Sequence, residues 1–423
     1  MSARIAPQAL PLLTLAGTAL FLGFLAGRVE LILVALSLGV ILLFPARSSA
    51  SLDYVLTHQV SATRVFEGDR LRVTVTVSAR SRIPAIELFE PLPPTVTRVT
   101  GSNRAVFALR PGQQVRWSYE VECAGLGRFT LGSVYVRLHD ASGLRVHERQ
   151  HRDPKPVCVY PCVVPLRRVP RPRRTQTSVG NYVSPTFGEG LEPGDIRLFA
   201  PGDRIRHVNW RASLRLGKLY VTQYHQERNA DVILMLDTLR HVGTPPASSL
   251  DLCVRAAASL ACAYLARKDR VGLIEYGGFL DWVRPGSGSP QMERLLDALL
   301  SAQVIFSYVT RDLALVPPRV LPPQALVIGL SPLLDERFVK AMGDLLARGF
   351  DVVLFSLSPV EMTRAALPLS PVDDLACRLW SLERQAQIFE LRRQGLSVLE
   401  WRPDQPLEVA LGGFGRRRRG LAA

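Results

Sequence analysis

The sequence predicts a multi-domain chain: an N-terminal transmembrane helical hairpin, then a β-sandwich, then an α/β domain whose parallel sheet carries helices on both faces. Three observations predict this architecture. Two long apolar runs open the chain, alternating strand patterns follow, and buried-type strands then alternate with amphipathic helices. A length of 423 residues leaves room for several domains.

The first element, 1–50, contains the apolar runs 9–26 and 29–44, separated by one basic and one acidic residue. Each run approaches the about 17–25 residues that a helix needs to cross a bilayer. A cleaved signal peptide is the alternative, although cleavage would leave the second run at the new terminus. Arg4 and Arg47 flank the pair, which favours both ends in the cytoplasm. We therefore expect a multi-pass protein of the cytoplasmic (inner) membrane, with its soluble domains facing the cytoplasm.

The second element, 51–155, alternates apolar and polar residues, as in "RLRVTVTVSAR", and glycine or proline turns separate the runs. Short strands at this spacing predict a β-sandwich. No acid–base cluster interrupts the pattern, so we expect a spacer or interaction module here.

A basic, proline-rich linker is predicted over 156–182, and a basic tail over 405–423 that contains four consecutive arginines. The formal net charge is 52 − 37 = +15, which favours anionic partners. Both basic segments could lie near anionic lipid. The sequence does not favour binding of nucleic acid, because no aromatic platform or reader motif accompanies the charge.

The α/β domain is predicted over 230–404, where the first strand ends in Asp237. Ser289 is the expected N-cap of the second helix, and Gly349 is expected to close the third. None of the six cysteines forms a C-x-x-C pair, so we expect free thiols, no metal and no cofactor. The predicted strands are 230–238, 269–278, 324–332, 350–359 and 395–401, and the predicted helices are 249–267, 289–303, 334–349 and 374–394.

The segment 183–229 precedes this domain and gathers acidic, basic and imidazole side chains around Trp210. A Pro-Gly turn places Asp203 to cap a short helix through 204–214, ended by Gly217, with a strand over 218–224 that leads into the α/β sheet. We expect Trp210 to be anchored against the core and stacked under an arginine. Asp203 is expected to pair with a nearby arginine, either Arg206 or Arg215.

The same segment resembles the bacterial domain-of-unknown-function family fifty-eight. Phe199, Asn209 and Leu214 depart from the family's usual Tyr, Asp and Ala. The wider order of hairpin, sandwich, motif and α/β domain is also similar to that family. The matching positions, to which we add Lys218 as a candidate for protein interaction, are Arg197, Gly202, Asp203, Arg206, Trp210, Ser213, Arg215, Gly217 and Leu219.

The α/β domain in turn resembles the von Willebrand factor A domain, in which the first strand ends in the metal-binding D-x-S-x-S. Asp237 matches the first position, but Leu239 and His241 replace the two serines. Ser331 stands where a later loop of that family supplies an aspartate. A hard cation needs several oxygen ligands, so the metal site is expected to be lost.

These resemblances imply a membrane-anchored scaffold or adaptor that is not itself an enzyme. The family resemblance also implies a MoxR-type AAA+ ATPase as partner, in assembly or remodelling of envelope proteins. One alternative is a membrane-associated hydrolase that uses Asp203, His207 and Ser213, although no hydrolase signature occurs. The other is a binder of anionic lipid or nucleic acid through the arginines of 167–174 and the tail.

Overall fold

The chain divides into two compact units, Met1–Tyr160 and Pro161–Ala423, and each is described separately. The computed structural model describes residues 2–5, 9–47, 53–139, 145–171, 176–188, 192–201, 203, 205–309, 311–368 and 370–412. The four consecutive arginines of the tail, 416–419, lie outside the described residues.

The first unit begins with strand β1 (Ser2–Ile5) and two apolar helices, α1 (Ala9–Ala26) and α2 (Val29–Arg47). The helices pack against each other, and a Cβ added at Gly23 would lie 2.8 Å from Ile32 Cγ1, so glycine permits this close approach. Their described apolar stretches, Leu10–Ala26 and Val29–Val40, are shorter than a typical spanning helix, whereas Ser249–Ala266 has the required length and apolarity. That third helix is 67% buried, as a core helix of a folded domain would be.

Two sheets form the sandwich of the first unit, with apolar side chains of both in one core. In β4, for example, Leu71, Val73 and Val75 are fully buried and alternate with outward residues, as the period of two requires. One sheet has the order β1-β10-β9-β5-β7 with β3 paired to β10, and the other has the order β2-β4-β8-β6. The strands are β2 (Tyr54–Val60), β3 (Arg64–Phe66), β4 (Arg70–Ala79), β5 (Ile83–Phe89), β6 (Val96–Thr100), β7 (Arg104–Leu109), β8 (Gln114–Cys123), β9 (Gly127–His139) and β10 (Arg145–Tyr160).

The sandwich contains a buried ionisable cluster that the alternating pattern did not reveal. Glu90 is fully buried, its Oε2 lies 3.0 Å from His58 Nε2, and the same oxygen accepts a hydrogen bond from Tyr119 Oη at 2.7 Å. Gly132 N donates to Glu90 Oε1 at 2.7 Å. Our expectation of a sandwich without such a cluster was wrong, because its members are far apart in the sequence.

The predicted linker is not wholly exposed. Strand β10 continues to Tyr160, past the predicted sandwich boundary at 155. Beyond it, Tyr264 Oη donates to Pro170 O at 2.6 Å, Val164 N donates to Ser259 Oγ at 3.0 Å, and Val169 is buried. Prolines exclude regular structure here but still allow the chain to pack along a helix. Residues 172–175 lie outside the described part.

The motif segment forms a three-stranded antiparallel sheet in the order β11-β13-β12. Its strands are β11 (Gln176–Gly188), β12 (Glu192–Leu198) and β13 (Tyr220–Asn229), so β11 begins inside the predicted linker. A 3₁₀ turn (Ile205–His207) and helix α3 (Trp210–Leu216) lie between β12 and β13. The predicted strand over 218–224 therefore belongs to this small sheet, and the chain enters the α/β sheet only after it.

The α/β domain has a six-stranded sheet in the order β16-β15-β14-β17-β18-β19. Five strands are parallel, and the edge strand β16 runs antiparallel to β15, which corrects the expected all-parallel sheet. Strand β16 is hard to recognise in the sequence because most of its residues are not buried and so give no apolar run. It also contains Pro285, which an edge strand tolerates. The strands are β14 (Asp231–Thr238), β15 (Arg270–Gly277), β16 (Leu280–Gly286), β17 (Leu326–Ser331), β18 (Asp351–Leu357) and β19 (Ser397–Trp401).

Helices cover the sheet, and all eight residues of β14 are buried. Ile233 and Met235 share a core with residues of α6 and α8, while α4 also contacts β14. Gly288, not Ser289, is the N-cap of α5, and α9 occupies part of the predicted tail. The helices are α4 (Ser249–Ala266), α5 (Ser289–Leu299), α6 (Glu336–Ala347), α7 (Val360–Ala366), α8 (Pro371–Arg393) and α9 (Leu407–Gly412), with a 3₁₀ turn at Leu313–Leu315.

Candidate functional site

Arg197 and Asp203 form a two-bonded ion pair that closes the turn between β12 and the 3₁₀ turn. Arg197 Nη2 donates to Asp203 Oδ1 at 2.6 Å, and Nη1 donates to Oδ2 at 2.7 Å. Ala200 N also donates to Oδ2, at 2.8 Å. The bonds from Arg197 and then from Ala200 lower the pKa of Asp203 to about 2. The expected pairing of Asp203 with Arg206 or Arg215 was wrong, and Gly202 lies outside the described residues.

Helix α3 begins at Trp210, not at 204, and Asn209 is its N-cap in place of the expected Asp203. Asn209 Oδ1 accepts from Ala212 N at 3.0 Å, and its Nδ2 donates to Thr222 Oγ1 at 3.1 Å. The helix ends at Gly217, whose φ of 72° is the left-handed conformation that glycine adopts without strain. Asn209 and Gly217 therefore fix the two ends of α3, and the bond from Asn209 to Thr222 joins its start to β13.

The Ser213 hydroxyl is used to join α3 to β13. It donates to Asn209 O at 2.8 Å and accepts from Tyr220 N at 2.9 Å, and the side chain is buried. Nearby, Arg206 Nε donates to His207 Nε2 at 3.1 Å. A serine that acts as a nucleophile needs a base positioned to take its proton, whereas this hydroxyl proton points to a backbone carbonyl.

The turn after β12, the 3₁₀ turn and α3 together form what we call the framework. The outer side of this framework is apolar and exposed. Trp210 is 59% exposed and Leu214 is 85% exposed, which corrects the expectation that Trp210 is anchored against the core. The inner side of the framework is occupied by Ser213, Val208 and Val221. We call the exposed set the motif surface; it comprises Ile196, Leu198, Ile205, Trp210, Leu214, Leu216 and Leu219.

Cations alternate with the residues of the motif surface along the chain. Arg206, Arg211, Arg215 and Lys218 are all exposed, and the stretch 205–219 contains no aspartate or glutamate. Exposed apolar residues gathered in one short segment together with cations are typical of an interaction site. The sequence had indicated most residues of the motif surface and its cations individually. Their common exposure is seen only in the structure, because α3 is too short to show a reliable apolar period.

A second group of polar residues lies at the carboxyl ends of β14 and β17. Asp237 is buried, its Oδ1 accepts from Leu239 N at 3.0 Å, and its Oδ2 accepts from Ser331 Oγ at 2.5 Å. Ser331 Oγ itself accepts from Leu333 N at 2.8 Å. Burial raises the pKa of Asp237 to about 7, and the bond from Ser331 opposes that rise.

Asp237 is not part of a metal-ligand cluster in the described part of the chain, where no group of three or more His, Cys, Asp or Glu side chains could hold an ion. Both of its carboxylate oxygens already accept hydrogen bonds. Nearby acidic charge is also paired, since Asp335 Oδ2 accepts from Arg337 Nη2 at 2.8 Å. The arrangement suits a buried polar contact between two strands.

Residues 195–362, which run from β12 into α7, match the family model described as "Protein of unknown function DUF58". The matched stretch includes the motif segment from Arg197 to Leu219, on which the resemblance to that family rests. The uncharacterized protein YeaD of Bacillus subtilis (strain 168) is 24% identical over 250 residues, covering 56% of this chain and 61% of that protein. The uncharacterized protein Rv1480 of Mycobacterium tuberculosis (strain ATCC 25618 / H37Rv) is 28% identical over 138 residues, covering 32% and 44% respectively.

The chain thus spans less than two thirds of the length of these relatives. Among solved structures, the cupredoxin domain of amoB from Nitrosocaldus yellowstonii covers 26% of the chain at 14% identity and a TM-score of 0.19, with 88% of that domain aligned. A non-cellulosomal cohesin from Archaeoglobus fulgidus covers 25% at 9% identity and a TM-score of 0.18, with 90% of that chain aligned.

Proposed function

We propose that this protein is a membrane-anchored scaffold whose motif surface binds a protein partner, and that the partner is a MoxR-type AAA+ ATPase. The observation that carries the proposal is the exposure of Trp210 and of other apolar side chains in a hydrogen-bonded segment whose charged residues over 205–219 are all basic. Trp and Arg are the residues most often found at the centres of protein interfaces. Because the chain carries no nucleotide-binding loop in its sequence, the partner would hydrolyse ATP.

The framework beneath the surface supports a recognition role. Arg197, Asp203 and Asn209 use their polar atoms to hold the turn and the start of α3. Their positions would change little on binding, so little ordering entropy would be lost there. The cations along 205–219 favour a partner face that presents aspartates and glutamates around an apolar centre.

We also propose that the α/β domain is von Willebrand A-like, with binding independent of a metal. Ser331 contacts Asp237, which is the relationship expected if Ser331 stands at the position of the family's later ligand. Because both carboxylate oxygens of Asp237 accept hydrogen bonds, these bonds would have to break before a cation could bind. A scaffold that binds a protein without a metal is consistent with this arrangement.

Anchoring by α1 and α2 is part of the proposal. Their side chains are apolar and largely exposed, including Phe21, Phe24 and Leu25 at 68–75% exposure. Such surfaces are costly in water and stable in lipid. The flanking arginines favour an orientation with the bulk of the chain in the cytoplasm, and a role in assembly or remodelling of envelope proteins is proposed only by analogy with the family.

The two alternatives have less support. The hydrolase would need Ser213, whose hydroxyl bonds the backbone at both Asn209 and Tyr220. The anionic-lipid or nucleic-acid binder would use the arginines of 167–174, of which Arg167, Arg168 and Arg171 are described and exposed, but the sequence has no aromatic platform or reader motif beside them. Neither arrangement favours a second candidate function.

The test is binding of a purified MoxR-type ATPase from the same organism to the detergent-solubilised full chain. Trp210→Ala should weaken binding by a factor on the order of 30 or more, as expected for a central interface residue. Phe306→Ala is the matched control, because Phe306 is a similarly exposed aromatic residue at 65%. Equal binding by wild type and Trp210→Ala would contradict the docking role, and ester or phosphoester turnover abolished by Ser213→Ala would favour the hydrolase.

A further inference from the structure

Helix α8 carries an apolar stripe that faces away from its own domain. Its members recur at intervals of three and four residues over 18 positions, which is the heptad pattern of a coiled coil. Every member is exposed, with Val372 at 74%, Leu382 at 61% and Phe389 at 68%. We call this set the α8 stripe; it comprises Val372, Leu375, Leu379, Leu382, Ala386 and Phe389.

The opposite side of the helix accounts for its packing in the fold. Cys377, Ile388 and Leu391 are buried, and Ile388 and Leu391 belong to the core shared with β14. Arg384 on this side donates to Pro332 O and Ser356 Oγ, each at 2.6 Å. The fold therefore needs one face of α8, and the α8 stripe is a second apolar face that the fold does not explain.

We propose that the α8 stripe pairs with the α8 stripe of a second copy of this chain, in a parallel two-stranded coiled coil. The proposal concerns residues outside the matched region 195–362 and does not depend on the motif surface. A two-fold pairing needs a surface that is complementary to itself, and a regular heptad stripe has this property.

The flanking charges favour a second copy and the parallel direction. With Leu379 and Leu382 at the two core positions of the heptad, Arg378 falls at the position before and Glu383 at the position after. In a parallel pair, Arg378 of one copy faces Glu383 of the other, and symmetry makes this contact twice. In an antiparallel pair the arginines no longer face the glutamates, so this attraction is lost.

Both charged side chains are available for that contact. Arg378 is 73% exposed at its side chain and bonds Asp374 at 2.9 Å, and Asp374 keeps a second partner in Arg364 if Arg378 turns away. Within the described residues, Glu383 makes no ion pair or hydrogen bond. A glutamate beside an apolar stripe gains a partner when two copies meet.

The stripe is also large enough for a specific contact. Its side chains expose on the order of 500 Å² of apolar surface, the size of the largest patch on a typical monomer, which is often functional. Complete burial of this surface in two copies would remove about 1,000 Å² from water, which reaches the lower limit of a specific interface. Tethering of both copies to one membrane, as in the proposed function, would raise their effective concentration further.

The experiment measures the oligomeric state of the detergent-solubilised full chain by light scattering and native mass spectrometry over a range of concentrations. The wild type should form dimers, and Leu379→Glu should raise the dimer dissociation constant by a factor on the order of 30 or more. Lys340→Glu on α6 is the control for an added negative charge at an exposed helix position. At a dilution where both proteins are monomeric, the thermal unfolding of Leu379→Glu should match that of the wild type, because Leu379 is 55% exposed.

Charge exchange tests the second copy and its direction. Arg378→Glu and Glu383→Arg should each weaken the dimer, and the double variant should restore it.

Cysteine cross-linking tests the direction of the pair. Leu382→Cys should form a disulfide between copies, because facing core positions of a parallel pair are close enough, whereas Lys340→Cys should not. Cross-linking only between Leu379→Cys in one copy and Leu382→Cys in the other would overturn the parallel arrangement. A monomeric wild type, or a dimer unaffected by Leu379→Glu, would overturn the proposal and assign the stripe to another occupant or to none.

Discussion

Glu90 directly follows β5 in one sheet of the sandwich, Tyr119 lies in β8 of the other sheet, and the Tyr119 hydroxyl donates to the Glu90 carboxylate across 2.7 Å. His58, on the sheet of Tyr119, lies 3.0 Å from the same carboxylate oxygen, while Gly132 on the other sheet donates to the second oxygen. Burial alone would raise the pKa of Glu90, but these bonds and the charge of His58 outweigh it and lower the pKa. One ionised carboxylate therefore links both sheets through polar contacts inside an apolar core.

Glu90→Gln should destabilise the sandwich by about 2–3 kcal/mol, because an amide cannot accept all the hydrogen bonds that the carboxylate accepts. Hydrogen exchange of the β4 and β8 peptides in the full chain measures this loss locally. The folded pKa lies below the ordinary value of about 4.3, so the stabilisation is present above that value and is lost as the pH falls through the folded pKa. The difference between wild type and variant should shrink in that acid range. Glu122→Gln is the control, and equal effects of the two substitutions would contradict the role of Glu90.

Asp237→Asn should stabilise the α/β domain at alkaline pH. The folded pKa is about 7, above the ordinary aspartate value of about 3.9, so the folded state binds this proton more tightly. Stability contributed by the protonated group is present at low pH and is lost as the pH rises from about 4 to about 7. The gain in the variant should be near zero at pH 4 and at most about 4 kcal/mol at pH 8.

Thermal unfolding of Asp237→Asn and wild type across this pH range measures the effect, with Asp404→Asn as an exposed control. Ser331→Ala should raise the pKa of Asp237 further, because it removes a hydrogen bond to the charged form. A variant Asp237→Asn that is less stable than wild type at pH 8 would show that the ionised carboxylate is required.

Ser213→Ala should reduce stability in the motif segment, since the Tyr220 amide loses its acceptor in a part-buried hydrogen bond. The cost should be about 1 kcal/mol, the lower end of the range for a donor left without a partner. Hydrogen exchange at 210–222 should rise, whereas Ser301→Ala on an exposed helix end should leave it unchanged. An unchanged exchange rate in Ser213→Ala would refute the structural role of this hydroxyl.

Asn209→Ala should increase fraying of α3 by about 1 kcal/mol, the usual cost of a lost N-cap. Asn209→Asp should preserve the cap, because its carboxylate can also accept from Ala212 N. Hydrogen exchange of α3 distinguishes the two variants. If both frayed equally, the contact of the amide with Thr222, not the cap, would hold the helix.

The regular elements were largely predictable, whereas the contacts across the chain were not. The run 230–238 indicated a strand buried on both faces, and β14 is such a strand. The pairing of Arg197 with Asp203 depends on a chain reversal at 199–203 that periodicity does not show. Glu90 and His58 are 32 residues apart, and only the closing of two sheets brings them together. Helix α8 was predicted, but its second apolar face is recognised only once the first is seen to be buried.

In the proposed complex, the motif surface would offer an arriving protein two kinds of contact, and these would act at different times. Arg206, Arg211, Arg215 and Lys218 would attract an acidic partner before contact, over about 8 Å at physiological salt, and so would govern how fast encounters succeed. Trp210 and Leu214 would act only once water is excluded, and so would govern how long the complex lasts. Salt would therefore slow arrival and leave residence time nearly unchanged, while truncation of Trp210 would shorten residence and leave arrival nearly unchanged.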